Sequence, residues 1–208
     1  MRQERLPTGR SGQLHGRLWI GDQDPLGVMI VVHGLGDHGG RYEALARRLV
    51  KDAWSVFVFD LPGHGESPGA RGRIDSFDGL LADIASARQT VSARFPHLPQ
   101  VLLGHSMGGT LVINYVLRSH MLDGLAAPSG MILCAPMLLP PNPPPRPHIF
   151  AAWLTGRLLP WIRISRPVDV QALTSDPDEA AVICADPLVH SQITVNLATQ
   201  QLSQGRWA

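Results

Sequence analysis

Val101-Leu102-Leu103-Gly104-His105-Ser106-Met107-Gly108-Gly109 is the stretch on which the reading of the whole chain turns. A short apolar run ends in a G-x-S-x-G turn, and a helical pattern starts at once in Thr110-Leu111-Val112-Ile113-Asn114-Tyr115-Val116-Leu117. Strand, glycine-pinched serine and helix is the setting that makes this motif a nucleophile elbow. Gly104 and Gly108 flank Ser106, where a side chain would collide with the neighbouring strand or helix. The sharp turn holds the hydroxyl above the sheet edge. The first turn of the following helix offers N–H groups and a favourable dipole to a developing oxyanion. The plainer alternative, a glycine-rich turn that happens to contain a serine, fits these flanks less well.

Outward from the elbow, the chain alternates strand and helix. Leu14 to Ile20 alternates loosely, as an antiparallel edge strand would. Val28-Met29-Ile30-Val31-Val32 is a continuous apolar run of the sort a sheet buries on both faces. Arg41 to Lys51 carries an apolar helix face at Leu45, Leu49 and Val50, and Trp54 to Phe59 reads as the next strand. Phe77 to Phe95 is an amphipathic helix closed by Pro96. Gly130 to Pro136 reads as another buried strand. This order predicts an α/β fold, a mostly parallel sheet covered by helices on both faces. After Pro136 the character changes. Pro140 to Pro147 can be neither helix nor interior strand. Beyond it, His148 to Ile164, Asp176 to Cys184 (N-cap Ser175) and Ser191 to Leu202 (N-cap His190-Ser191) read as helical. The expected division is a core over 1–136, a helical cap over 137–202 and a tail over 203–208.

Composition narrows the function. The 208 residues are 44 % hydrophobic and 17 % charged, the profile of a globular domain with a real core. A net charge of +1 gives no electrostatic footprint for nucleic acid. Cys134 and Cys184 form no C-x-x-C, so neither a disulfide framework nor a zinc site is expected, and both read as small buried residues. The N-terminus, Met1-Arg2-Gln3-Glu4-Arg5-Leu6-Pro7, has no apolar segment of the signal-peptide type. The most apolar run, Ile149 to Ile164, is broken by Arg157, Pro160 and Arg163. A cytoplasmic location is therefore expected.

In a parallel sheet the loops at the carboxyl ends of the strands converge on one edge. Here these are His33 to His38, Asp60 to Ser67 and the elbow. An oxyanion hole needs two N–H donors about 3 Å from the developing charge. Met107, next to the nucleophile, supplies one. The glycine-bearing loop His33-Gly34-Leu35-Gly36 fits the second, with the Leu35 N–H as donor. His33, His64 and His105 read as loop-orienting residues, since all precede the serine in loops with other evident uses.

With these blocks in place, the sequence resembles the monoacylglycerol lipase and lysophospholipase branch of the α/β-hydrolases. The resemblance is carried by His33-Gly34-Leu35-Gly36-Asp37-His38, Arg41-Tyr42, Asp60-Leu61-Pro62-Gly63-His64-Gly65-Glu66-Ser67, the elbow, Ser175-Asp176-Pro177 and Asp186-Pro187-Leu188. It runs from about Leu14 to about Leu202 and implies hydrolysis of acyl esters of glycerol or lysophospholipids through an acyl-enzyme on Ser106. The backbone of Leu35 and Met107 would form the oxyanion hole. No cofactor or metal is implied. Met137 to Leu202 corresponds to that branch's cap, which shapes an apolar acyl tunnel. Between Met137 and Val168 there is no acidic residue, while Arg146, Arg157, Arg163 and Arg166 accompany Phe150, Trp153, Leu154, Leu158, Leu159 and Trp161. Such a segment suits peripheral contact with an anionic lipid surface, or equally an apolar cap face with its arginines in water.

The sequence departs from that branch in one respect. The triad order there is serine, acid, histidine. The acid follows a strand after the cap, and the histidine follows the last strand. Neither stretch is found in Gln200 to Ala208. His120 is 14 positions along the elbow helix, about 20 Å away at 1.5 Å per residue. His148 and His190, like Asp169, Asp176 and Asp186, lie in cap blocks. The expectation is a chain with no triad acid or histidine, lacking the last strands of the sheet. It is then a serine ester hydrolase completed by a C-terminal fragment, or a non-catalytic product that keeps an acyl-binding cap. Dehalogenases and epoxide hydrolases would need an aspartate at position 106. A peptidase is disfavoured only by the apolar cap.

Overall fold

In the computed structural model, residues 1–118, 124–140, 142–165 and 170–208 are described. A six-stranded sheet runs in the order β1-β2-β4-β3-β5-β6. Its strands are β1 (Arg2–Arg5), β2 (Gly16–Ile20), β3 (Gly27–Val32), β4 (Trp54–Phe59), β5 (Gln100–His105) and β6 (Gly130–Cys134). β1 and β2 are antiparallel, as are β2 and β4, while β4, β3, β5 and β6 are parallel. The central strand is β3, where Ile30 lies opposite Phe57 on one side and Leu102 on the other. Its apolar run is buried on both faces, as the sequence predicts.

Period-two alternation divides the core. Ile30, Val32, Phe57, Phe59 and Leu102 face a layer with Leu81 and Ile84 of α2 (Phe77–Arg94) and Leu111 and Tyr115 of α3 (Met107–Arg118). Met29, Val31, Val56 and Val58 face the other way, toward Ala46 and Leu49. Those two residues belong to α1 (Glu43–Lys51), which follows a 3-10 turn over Gly39–Tyr42. Ser76 caps α2 by accepting from the Gly79 N–H, and the helix ends at Arg94, two residues before Pro96.

Three expectations need correction at the sheet edges. β2 is not an edge strand, because Arg2–Arg5 pairs outside it, Glu4 opposite Leu18. Charged residues suit an edge strand that must not recruit another chain. β6 is not buried. Among the described elements it pairs only with β5, and Met131 and Ile132 are 47 % and 46 % exposed. Leu133 still packs against the core, but Met131 and Ile132, on opposite faces, leave much of β6 uncovered. Cys134 and Cys184 are both exposed rather than buried.

The region after β6 contains α4 (Arg146–Leu158), β7 (Arg163–Ser165), α5 (Val170–Leu173), α6 (Pro177–Ala185), β8 (Gln192–Thr194) and α7 (Val195–Trp207). β7 and β8 form a short antiparallel pair, Ile164 opposite Ile193, inside segments read as helical. Asp176, not Ser175, caps α6. α7 runs five residues past Leu202, through the stretch read as a tail. Its Gly205 packs on the Leu138 carbonyl so closely that any side chain would strike that oxygen. His120, Arg166 and Asp169 lie outside the described residues.

Candidate active site

Ser106 sits at the junction of β5 and α3 with φ +53°, a left-handed conformation unusual for a non-glycine residue. The surroundings hold it there. Its N–H donates to the Cys134 carbonyl at 2.9 Å, and its own carbonyl accepts from the N–H groups of Gly109 (3.0 Å) and Met137 (2.9 Å). The glycines serve this close packing. A Cβ on Gly104 would stand 2.5 Å from the Gly108 carbonyl, and one on Gly108 would strike that of Val32. Ser106 itself is half-buried, and Met107 is buried at the head of α3.

The loop after β3 lies against the serine, since a Cβ built on Gly34 would be 3.1 Å from the Ser106 Cβ. His33 fixes this loop. It is fully buried, its Nε2 accepts from the Leu61 N–H at 2.9 Å, and its Nδ1 is 2.8 Å from the Gly34 carbonyl. With Nε2 accepting, the proton resides on Nδ1 and is donated to Gly34 O. Burial keeps the imidazole neutral by lowering its pKa. The Gly34–Leu35 peptide thus has its carbonyl committed to His33. In a trans peptide the Leu35 N–H then faces the opposite way, free for an acceptor.

Asp60 ties this loop to the next. Completely buried, it accepts from the Gly39 N–H (2.6 Å), the Glu66 N–H (2.9 Å) and Arg17 Nη1 (3.1 Å). Burial alone would raise its pKa, but the two N–H bonds and the arginine outweigh it and hold the carboxyl below its ordinary value. Asp37 accepts from the His38 N–H, Arg41 and the Tyr42 hydroxyl. Burial first, and then the Asp37 charge, raise the Tyr42 pKa and keep that hydroxyl a donor.

The remaining histidines are engaged elsewhere. His38 Nε2 donates to Asp186 Oδ2 at 2.8 Å, with its Nδ1 accepting from the Gly40 N–H. Burial raises the Asp186 pKa, but the His38 bond, the Leu188 N–H and the nearby positive charges together outweigh it, so the net direction is down. His190 packs against His64 and His64 against His33 with their rings tilted, centroids 4.8 and 5.2 Å apart. The His190 N–H donates to the Gly36 carbonyl at 3.0 Å. Burial lowers the His64 pKa well below the ordinary value, and burial with Arg71 lowers that of His190 to about 4. His148 is exposed on α4. His105 Nδ1 lies 3.3 Å from the Tyr42 hydroxyl. Neither the His38–Asp186 bond nor the packed row of His33, His64 and His190 was foreseen. The only trace in the sequence was the co-occurrence of the Gly36-Asp37-His38 and Asp186-Pro187-Leu188 blocks.

What the described residues assemble is a serine held in a forced conformation, beside a loop whose peptide orientation is fixed. Chemically, such an arrangement suits a nucleophile beside an oxyanion-binding peptide. Among them no histidine hydrogen-bonds to the Ser106 hydroxyl, and no group of three acidic, histidine or cysteine side chains is placed to hold a metal. Nor is any helix among them long and apolar enough to cross a membrane.

Comparison with known proteins bears on the family and the fold. Residues 23–208 match the Hydrolase_4 family, serine aminopeptidase S33. The chain is 32 % identical over 173 residues to a monoacylglycerol lipase of Mycolicibacterium smegmatis, covering 83 % of this chain and 60 % of the relative. It is 34 % identical over 191 residues to a monoglyceride lipase of Rattus norvegicus, covering 90 % and 60 %. The crystal structure of a Paleococcus ferrophilus monoacylglycerol lipase superposes with a TM-score of 0.77 at 28 % identity, over 93 % of this chain and 70 % of that one. The chain therefore spans 60 % of the length of these curated lipases.

Proposed function

Because the chain belongs to the S33 serine hydrolase family, with the fold of the α/β-hydrolases, we propose that it is the nucleophile-bearing part of a serine ester hydrolase. Its substrates are acylglycerols or lysophospholipids, and its intermediate is an acyl-enzyme on Ser106. The observation that carries this is the forced left-handed Ser106 seated against the His33–Gly36 loop. The hydroxyl attacks the ester carbonyl. The N–H groups of Leu35 and Met107 receive the developing oxyanion, the alcohol leaves, and water releases the acid. The lipase names of the relatives and the acid-free, aromatic segment after Pro145 support a lipid-like acyl group. Exposed Leu158, Trp161 and Ile164 beside Arg157 and Arg163 suit peripheral contact with an anionic lipid surface on the cytoplasmic side.

The general base and its acid come from polypeptide beyond these residues. Asp186 is committed to His38, and His190 is packed against His64. The uncovered β6 is where such polypeptide would dock, extending the sheet. The test is fluorophosphonate labelling read by intact mass, on this chain alone and on this chain fused to the segment that follows the matched region of the M. smegmatis lipase. Background labelling alone and stoichiometric labelling in the fusion, abolished by Ser106→Ala, is the expected result. Stoichiometric labelling of the chain alone would sink the completion part of the reading. An unreactive but folded fusion would sink the hydrolase reading.

A further inference from the structure

Ser106 is bridged on both sides by one short stretch that follows β6. Its N–H donates to the Cys134 carbonyl and its carbonyl accepts from the Met137 N–H, each at 2.9 Å. Between these anchors the chain turns through Ala135 in a left-handed conformation, φ +43°. The Ser106 carbonyl matters beyond its own residue. It shares a trans peptide with the Met107 N–H, so whatever aims the one aims the other in the opposite direction. The bonds it accepts from Gly109 (3.0 Å) and Thr110 (3.3 Å) belong to the first turn of α3, and helix ends fray. The Met137 bond comes from outside the helix.

Met137 is itself held. Its carbonyl accepts from the Thr110 hydroxyl and, at 2.7 Å, from Gln201 Nε2 of α7. The second hydrogen on that nitrogen goes to Thr110 Oγ1 at 2.8 Å. Thr110, Met137 and Gln201 thus close a ring in which every hydrogen has its own acceptor. The Thr110 and Gln201 side chains are buried. Gln201 Oε1 is buried too, and among the described residues it has no hydrogen-bond partner. A buried amide with its oxygen unpaired costs more than a leucine of similar size in the same place. Space-filling therefore does not account for Gln201. Its two N–H groups do, and both go to the ring.

We infer that Gln201 and Thr110 are positioning residues for the oxyanion hole. By gripping the Met137 carbonyl they keep the Met137 N–H on the Ser106 carbonyl, and with it the Met107 N–H aimed at the reacting group. What that N–H does rests on the acyl-transfer function proposed above; how it is held does not. Helix α7 then supports one donor of the hole as His33 supports the other.

Ser106-Met107 is the only Ser-Met step in the sequence. The deuterated 208-residue chain, labelled with carbon-13 at serine carbonyls and nitrogen-15 at methionine, therefore gives one directly bonded carbonyl–nitrogen correlation, that of Met107. A long-range version of the same spectrum adds the coupling through the hydrogen bond from Met137 N to the Ser106 carbonyl. The wild type should show one sharp Met107 correlation and the Met137 cross-peak. Gln201→Leu and Thr110→Val remove donors without opening a cavity, and each should broaden or split the first signal and lose the second. Thr110→Ser keeps the hydroxyl and should retain both. Thr194→Ala removes the N-cap of α7 and controls for simple loss of stability; it should retain both as well. Wild-type spectra from Gln201→Leu and Thr110→Val would overturn the inference, and so would the same changes in Thr110→Ser or Thr194→Ala. In the fusion described above, fluorophosphonate labelling of Ser106 should slow at least about tenfold in Gln201→Leu, where outright loss of an oxyanion donor costs about a hundredfold or more. An unslowed rate with altered spectra would overturn the positioning role. A fusion inert in every form would sink the hydrolase reading, while the spectra would still decide what holds the peptide.

Discussion

His33 and His64 are buried imidazoles kept neutral, and this has a direct cost in acid. Both have pKa values depressed by burial, while the unfolded chain takes up protons near pH 6.5. Below that pH the unfolded state binds more protons, so stability is full above about pH 6.5 and falls as the pH drops toward the depressed values. Each of the two takes about 1.4 kcal/mol per pH unit once well below 6.5. The Asp60 contribution is lost only at lower pH, below the ordinary carboxylate range near 3.8. Urea midpoints at pH 7.5, 6.5 and 5.5 should therefore decline. In His64→Asn, which keeps a donor for the Pro62 carbonyl, the decline should flatten by about one proton. A flat wild-type profile would show that these rings can be protonated in place. Little of this was legible in the sequence. His33 could be read as a loop-orienting residue from its place before Gly34. The partners of His38 and His190 are brought near only by the return of the chain, 148 residues later in the case of Asp186.

Elements with a strong apolar pattern declared themselves, and those shaped by tertiary contact did not. β3, β4 and β5 are runs of Val, Ile, Phe and Leu that only a buried sheet accommodates. β1 is Arg-Gln-Glu-Arg, which has no periodic apolar signal and becomes a strand because β2 offers it an edge. β7 and β8 are too short to show a period. Gly205 reads as a helix breaker, yet α7 passes through it because nothing larger fits beside Leu138. The start of α7 is equally local in cause. The Thr194 hydroxyl accepts from the Leu197 N–H and donates to the Gly72 carbonyl, wholly buried. Thr194→Ala removes the cap and leaves the Leu197 N–H unpaired, while the Gly72 carbonyl keeps only the Thr194 N–H, so it should cost about 2 kcal/mol in urea unfolding, whereas Thr194→Ser should cost under about 1 kcal/mol. Equal losses in the two variants would place the effect in the methyl group instead.

For the molecule as a whole, the exposed strand governs behaviour in solution. A run of parallel strands that ends in Gly-Met-Ile-Leu-Cys, with Met131 and Ile132 exposed, presents unpaired backbone groups amid apolar side chains. Sedimentation velocity of the isolated chain should show reversible self-association that weakens in Ile132→Lys, a charge placed where nothing packs. Equal association by both forms would move the sticky surface elsewhere. The other end of the story is kinetic. Gln201 of α7 donates to the Thr110 hydroxyl and to the Met137 carbonyl, whose residue in turn holds the carbonyl of Ser106. That bracket closes a loop 91 residues long. Loop closure of this span is slow to be repaid by local contacts, so the last constraint on the serine arrives late in folding. While the chain is still emerging from a ribosome, the serine turn is already made but unbraced. A refolding experiment that monitors reactivity at Ser106 beside helix content should find the helices first and the finished turn only when α7 has come home.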